Sequence, residues 1–285
     1  MKNDIIVNNW EELQSALFQH SWDENIGRFR SSYVYRGMWN TSFDLRTSLI
    51  RLGGDYKRFE PYLLRNFKKY AHSNAAPGNS IWNWLAVAQH HGLPSRLLDW
   101  TYSPYVALHF ATAEFNNFNK DAAIWCVNYV KSNEYLPEKL KKAIYTEGSN
   151  VFTPEVLEPV CSSLQELGCF QEDEFVVFLE PPSLDGRIVH QFALFSMMSK
   201  PDAILSCWLE NYSDLYFRII IPAALKWEIR DKLDQVNITE RVLFPGLNGL
   251  SQWLKRHYTT VSDPNNGRGY IPTDPDNTQK GFAKI

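Results

Sequence analysis

Apolar positions along this chain fall into stretches of helical spacing and stretches of continuous β-branched and aromatic residues. Behind Asn8 or Asn9 as a cap, WEELQSALFQ places acidic residues in a first turn, where the helix dipole favours them, and predicts a helix. SYVYRGM, residues 32–38, predicts a strand. A polar stretch ending at Gly53-Gly54 separates it from FEPYLLRNFKKYA, in which Phe59, Leu63, Phe67 and Tyr70 recur at helical spacing. A second long helix begins at Asn79 or Ser80 and runs through WNWLAVAQHH. Gly92 stands where a left-handed cap belongs, and Pro94 blocks continuation. RLLDW, residues 96–100, reads as extended. Ser103 then caps a helix opened by Pro104, whose apolar stripe is Val106, Ala107, Phe110 and Ala111.

Further strands are expected at AAIWCVNY, EFVVFLEP, RIVHQFALFSM and LYFRIIIP, and further helices at AALKWEIRDKLDQVN and LNGLSQWLKRHY. Residues 130–170 read as an irregular or helical insertion. The polar tail from 261 to 285, with Pro and Gly scattered through it, is expected to be loosely ordered. Strands and helices intermingle without regular βαβ alternation. The fold class expected is therefore α+β: a single domain over residues 1–260, with a mixed or antiparallel sheet flanked by helices.

Composition narrows the classes of function. A formal net charge of −3 over 285 residues argues against a broad electrostatic grip on nucleic acid. Aromatic residues make up 14% of the chain, enough for a bulky core or an aromatic-lined pocket. Cys126, Cys161, Cys169 and Cys207 have neither C-x-x-C nor zinc-type spacing, so buried, reduced thiols and a cytoplasmic setting are expected. No signal-peptide core and no membrane-length apolar run is present, so no membrane partner is expected. Motifs for a P-loop, a dinucleotide-binding glycine loop, a nucleophile elbow and a zinc-protease helix are all missing.

Three segments concentrate polar groups on an apolar background. In AQHHGLPSRLLDWTYSP, charged residues sit among neighbours of core type, so they pair with each other or line a site. Arg96 and Asp99 pair across the loop, or Asp99 and Thr101 stand side by side before a helix start that suits an anion. Adjacent His90 and His91 point about 100° apart on a helix and cannot readily share a metal, so no metal is expected, and one of them hydrogen-bonds the turn or lines a pocket with Gln89. The second segment is Tyr35-Arg36-Gly37. An arginine ending an apolar strand either lies at the surface or, if buried, calls for an anion or a carboxylate, and Gly37 lets a ligand or a backbone come close. In the third, RIVHQFALF read as a strand turns Arg187, Val189, Gln191, Ala193 and Phe195 to one face, either a pocket wall or a solvent-facing edge. The run Glu172–Glu174 reads as a solvated strand start.

Together these segments resemble the FRG domain family, whose (F/Y)-R-G motif corresponds to Tyr35-Arg36-Gly37. SLIRLGG, AQHHGLPSRLLDWTYSPYVALHFA, the R-I-x-x-Q-x-x-x-F pattern and TERVLFPGLNGL follow in the family's order, over roughly residues 10–255. Ser95 stands where the family usually has threonine, and Ala193 where a glycine is common. More distantly, the pattern resembles ADP-ribosyltransferases, which begin their site on a strand ending in Y-R-G, continue on a Ser/Thr strand leading to A-x-x-F-A, and draw Glu or Gln from a third strand. That resemblance implies NAD as substrate, without a metal. Arg36 would hold the pyrophosphate or a ribose, Thr101 or Ser103 would serve the second element, and Gln191 or Glu174 the third. Tyr35, Gly37, Gln89, His90, His91, Arg96, Asp99, Ser103 and Arg187 would complete the nucleotide site. It also implies a protein or nucleic-acid acceptor, an antitoxin or regulator as partner, and a role as a bacterial toxin or antiphage effector. The alternatives are a non-catalytic nucleotide-binding or sensing domain and a nucleic-acid-processing enzyme.

Overall fold

The computed structural model describes residues 3–71, 78–183 and 185–260. The tail expected to be loosely ordered lies outside the described residues. Among them the chain forms nine strands and 13 helices. The strands are β1 (Asp4–Ile6), β2 (Trp22–Asp23), β3 (Arg28–Phe29), β4 (Tyr33–Met38), β5 (Leu97–Thr101), β6 (Ala122–Asn128), β7 (Val176–Leu179), β8 (Ala193–Met198) and β9 (Tyr216–Ile221). Seven of them make one sheet in the order β1-β9-β6-β4-β5-β8-β7, while β2 and β3 form a separate hairpin. Only β1–β9 is a parallel pair; all other neighbours in the sheet run antiparallel. The fold is thus α+β with a mixed sheet, as expected.

The first half holds α1 (Trp10–Phe18), α2 (Ser48–Leu52), α3 (Tyr56–Ala71), α4 (Ile81–His90) and α5 (Pro104–Ala111). Their starts follow the local chemistry: Asn9, Thr47, Ser80 and Ser103 each accept a hydrogen bond from a first-turn N–H. Gly92, at φ +81°, turns the chain after α4 in a conformation that glycine adopts without steric cost. Next come α6 (Glu138–Glu147), α7 (Pro154–Leu157), α8 (Leu164–Gly168) and α9 (Gly186–His190), then α10 (Leu205–Glu210), α11 (Lys226–Gln235), α12 (Glu240–Leu243) and α13 (Leu247–His257).

Strand alternation splits the core. One face of the sheet carries Val34, Leu98, Trp100, Trp125, Val127, Phe178 and Leu194. On the opposite face, α1, α5 and α11 cover β6 and β9 around Leu13, Ala107, Ile124 and Ile219. Farther along that face, α4 and the helices of residues 138–168 cover β7 and β8 around Trp82, Leu140, Leu157, Val177 and Met197. The stretch read as an insertion therefore supplies much of one core cluster.

Several local expectations are corrected. RIVHQFALFSM is not one strand: residues 186–190 are helical, and only Ala193–Met198 is extended. Asp185 starts that helix by accepting from the N–H groups of Arg187 and Ile188, and Phe192 reverses the chain with φ +48°. In α3 the buried residues are Glu60 and Leu64, while Phe59 and Tyr70 of the expected stripe are exposed. Arg96 explains the shift. It does not pair with Asp99; its Nε donates to Glu60 Oε1 at 2.6 Å, its Nη2 reaches the other oxygen, and Nη1 donates to the Ser199 carbonyl at 3.2 Å. Of the four thiols, Cys126 and Cys161 are buried, but Cys169 and Cys207 are exposed, and all four are free. No described helix is long and apolar enough to cross a membrane.

Candidate active site

The sheet is discontinuous at its centre. β4 pairs with β6 through six residues and β5 with β8 through five, yet β4 and β5 meet only at Tyr35 opposite Thr101. Beyond that pair the strands part, so Arg36, Gly37 and Met38 face Asp99 and Trp100 across a gap. A cleft of about 420 Å³ opens there. Its walls come from β4 and the following Trp39 and Phe43, from Arg51 of α2, from Gln89 and His90 of α4, from β5, and from Arg187, Ile188 and Gln191.

Gly37 makes room for a backbone. A Cβ at this position would lie 1.9 Å from the Ala107 carbonyl oxygen and 2.6 Å from the Ala111 nitrogen. The missing side chain therefore lets α5 lie directly on β4, and the alternative that it admits a ligand is not needed to explain it. Tyr35 points into the same packed layer. Its hydroxyl hydrogen-bonds with Ser31 at 3.0 Å, and burial pushes its pKa up to about 12.

Arg36 spans the gap. Its Nη1 donates to the Asp99 carbonyl and lies 3.8 Å from the Asp99 carboxylate. Its Nε is buried and meets no acceptor among the described residues. Burial lowers the guanidinium pKa from its ordinary value, Asp99 opposes that shift, and Arg51 adds to it. Arg51, on the opposite wall, lies over the Phe43 ring at 5.9 Å, and Phe43 packs edge-on against Trp39 with centroids 4.6 Å apart. Arg187 is the third cation, 5.3 Å above the Phe244 ring.

A relay of hydrogen bonds fixes Asp99. Gln89 donates its amide to both carboxylate oxygens, at 3.1 and 3.0 Å, while its own carbonyl accepts from the Ser95 hydroxyl at 2.8 Å. His90 reaches Asp185 at 2.8 Å, tying the end of α4 to the start of α9. Burial raises the Asp185 pKa, but the Ile188 amide and His90 outweigh it and leave the carboxyl below its ordinary range. His91, at the exposed end of α4, is not on the wall.

The Thr101 hydroxyl donates to the Gln191 carbonyl at 2.7 Å and accepts from the Ser103 N–H at 3.0 Å, so it braces the turn. Gln191 lines the cleft, with its amide held by the Leu243 carbonyl at 3.0 Å. Ser103 caps α5 and lies off the wall. Glu174 is also off the wall; its carbonyl accepts from the Trp208 indole. Arg96 is committed to Glu60.

The structure thus brings together Tyr35, Arg36, Gly37, Gln89, His90, Asp99, Thr101, Arg187 and Gln191, and leaves His91, Arg96, Ser103 and Glu174 apart. Arg51, Trp39, Phe43 and Glu114 line the cleft and were not singled out from the sequence. Arg51 lies inside SLIRLGG, where a cation in an otherwise apolar short helix was the available signal. No group of three or more His, Cys, Asp or Glu able to hold a metal occurs among the described residues. Three arginines and a histidine against Asp99 and Glu114, beside an aromatic shelf, suit an anionic ligand that also carries a flat ring.

Residues 31–120 match the family model described as the FRG domain. No curated protein matches the chain, and neither does any solved structure.

Proposed function

We propose, for a chain that carries an FRG domain, that the cleft between β4 and β5 binds a nucleotide bearing a pyrophosphate. NAD is the substrate, and its nicotinamide–ribose bond is the bond broken. The observation that carries this reading is Arg36: a guanidinium drawn into a split sheet, with a buried Nε that has no acceptor among the described residues. An unsatisfied buried donor costs about 1–3 kcal/mol, and more on a charged group. A phosphate oxygen would satisfy it and would offset the burial that disfavours the guanidinium charge. Arg51 and Arg187 extend the positive wall, and Trp39 with Phe43 offers a ring-sized apolar surface. The cleft volume of about 420 Å³ falls in the range of small-molecule sites.

In this reading the protein resembles ADP-ribosyltransferases in chemistry as well as in motif order. The acceptor is a protein or a nucleic acid, and a toxin or antiphage effector of this kind needs an antitoxin or regulator to restrain it. A second reading, a nucleotide sensor without turnover, draws on two placements. Glu174 stands off the wall, and Gln191, the remaining third-element group, carries no charge and has one amide N–H held by the Leu243 carbonyl.

The experiment is to incubate the purified chain and Arg36→Ala with NAD, with and without a bacterial lysate, and to measure free nicotinamide. Release that depends on Arg36 supports turnover. Absence of release together with an NAD-induced rise in melting temperature moves the conclusion to a sensor, and absence of both refutes nucleotide binding.

A further inference from the structure

We propose that Asp99 is the catalytic carboxylate of this cleft; the inference rests on the NAD-cleavage reading above. Breaking the bond between the ribose C1′ and the nicotinamide nitrogen sends the electron pair to that nitrogen. Nicotinamide leaves neutral, and positive charge develops on the sugar. An acceptor oxygen, from water or a hydroxyl, bonds to C1′ and gives up its proton. A fixed negative charge beside C1′ lowers the barrier to the first event and can take the proton in the second.

Among the wall residues only Asp99 and Glu114 bear a carboxylate. They differ in how they are held. Glu114 follows α5 at the exposed start of a short turn and makes no capping hydrogen bond. Asp99 is gripped by the Gln89 amide at both oxygens, and Gln89 is oriented by Ser95, whose hydroxyl also accepts from the Leu97 N–H at 3.0 Å. The carboxylate is therefore held by a chain of side chains that starts at the base of β5. The Asp99 side chain remains 60% exposed and lines the cleft, so it is open to a ligand.

The Arg36 guanidinium stands 3.8 Å away and supplies the complementary charge for the phosphates. One pair thus divides the work: the cation holds the anionic part of the ligand, and the anion faces the part that becomes cationic. Gln89 lines the cleft as well, but its part in this step is that of a positioning residue, because its amide holds Asp99.

The test compares nicotinamide release and NAD affinity for the full chain, Asp99→Asn, Gln89→Leu and Glu174→Gln, each checked for an unchanged melting profile. Asp99→Asn should lower kcat by about 100-fold or more, the scale of a lost preorganised electrostatic group. The Kd for NAD should change less than fivefold. Gln89→Leu should lower kcat by a smaller factor with little change in KM, and Glu174→Gln should stay near the parent. If Asp99→Asn does not fold, Gln89→Leu carries the test, because it leaves the Asp99–Arg36 pair in place. An Asp99→Asn protein retaining a third of parental turnover, or a Gln89→Leu protein with parental kcat, overturns the assignment while NAD cleavage stands. A parent chain that releases no nicotinamide overturns both.

Discussion

Substituting Gly37 by alanine separates two explanations of the Y-R-G motif. If glycine is there to admit a ligand, Gly37→Ala should damage binding and spare stability. The packing indicates the reverse. The new Cβ would lie 1.9 Å from the Ala107 carbonyl oxygen, 2.6 Å from the Ala111 nitrogen and 2.9 Å from the Ala107 carbonyl carbon. Ordinary contacts of this kind lie near 3.5 Å, so α5 would have to withdraw by about 1.5 Å. Both sides are backbone, and no side chain can rotate away. The helix that must move buries Val106, Ala107, Leu108 and Ala111. Overpacking costs about 1–3 kcal/mol where side chains can yield, so about 3 kcal/mol or more is expected here. For a chain of this size that lowers Tm by roughly 6–12 °C. Urea and thermal unfolding of Gly37→Ala should show this loss. Gly186→Ala, whose Cβ would meet only side-chain atoms at ordinary contact distances, Pro245 at 3.6 Å and His190 at 4.0 Å, should lie within about 1 kcal/mol of the parent. A Gly37→Ala protein as stable as Gly186→Ala would refute the packing explanation.

Much of the architecture was legible because local signals agreed with the tertiary structure. Asn9, Ser80 and Ser103 cap the helices they were expected to cap, and Gly92 ends α4. Elsewhere, distant partners decided. Nothing near Glu60 in sequence announces that it faces inward; Arg96, 36 residues away, turns that side of α3 to the core. The strand β1 is three residues long and begins with a charge, and it is extended because Arg218 on β9 grips Asp4 at 2.9 and 2.7 Å. RIVHQFALF carries apolar residues compatible with either period, and the Asp185 cap made its first half helical. For the site, Arg36, Asp99 and Gln191 stood out as polar groups in apolar surroundings. Arg51 did not, because its role depends on α2 folding back beside the split in the sheet.

Two further outcomes follow from buried charge. Arg96 and Glu60 are each about 5% exposed, so Arg96→Met, which strands a buried carboxylate, should cost about 3–5 kcal/mol in urea unfolding. The double substitution with Glu60→Leu should recover much of that, and a double variant no more stable than the single one would contradict the pairing. The second outcome concerns pH. Burial, aided by Arg230, pushes the His109 pKa from 6.5 down to about 3, whereas at Glu240 the nearby Arg256 and Arg230 overcome burial and bring the pKa from 4.5 down to about 2. Below pH 6.5 the unfolded chain takes up a proton at His109 that the folded chain refuses, and below 4.5 it takes up another at Glu240. Stability should therefore fall on acidification, by up to about 1.4 kcal/mol per pH unit from His109 alone between pH 6.5 and 4.5. His109→Gln should flatten that interval, and an unchanged slope would contradict the buried neutral imidazole.

The most direct measurement is calorimetric titration of NAD and of ADP-ribose into the parent chain and Arg36→Gln. Saturable binding of both ligands by the parent, weakened at least 30-fold in Arg36→Gln with folding intact, is the expected result. No binding to the parent, or equal affinity in the two proteins, would contradict a nucleotide cleft built on Arg36.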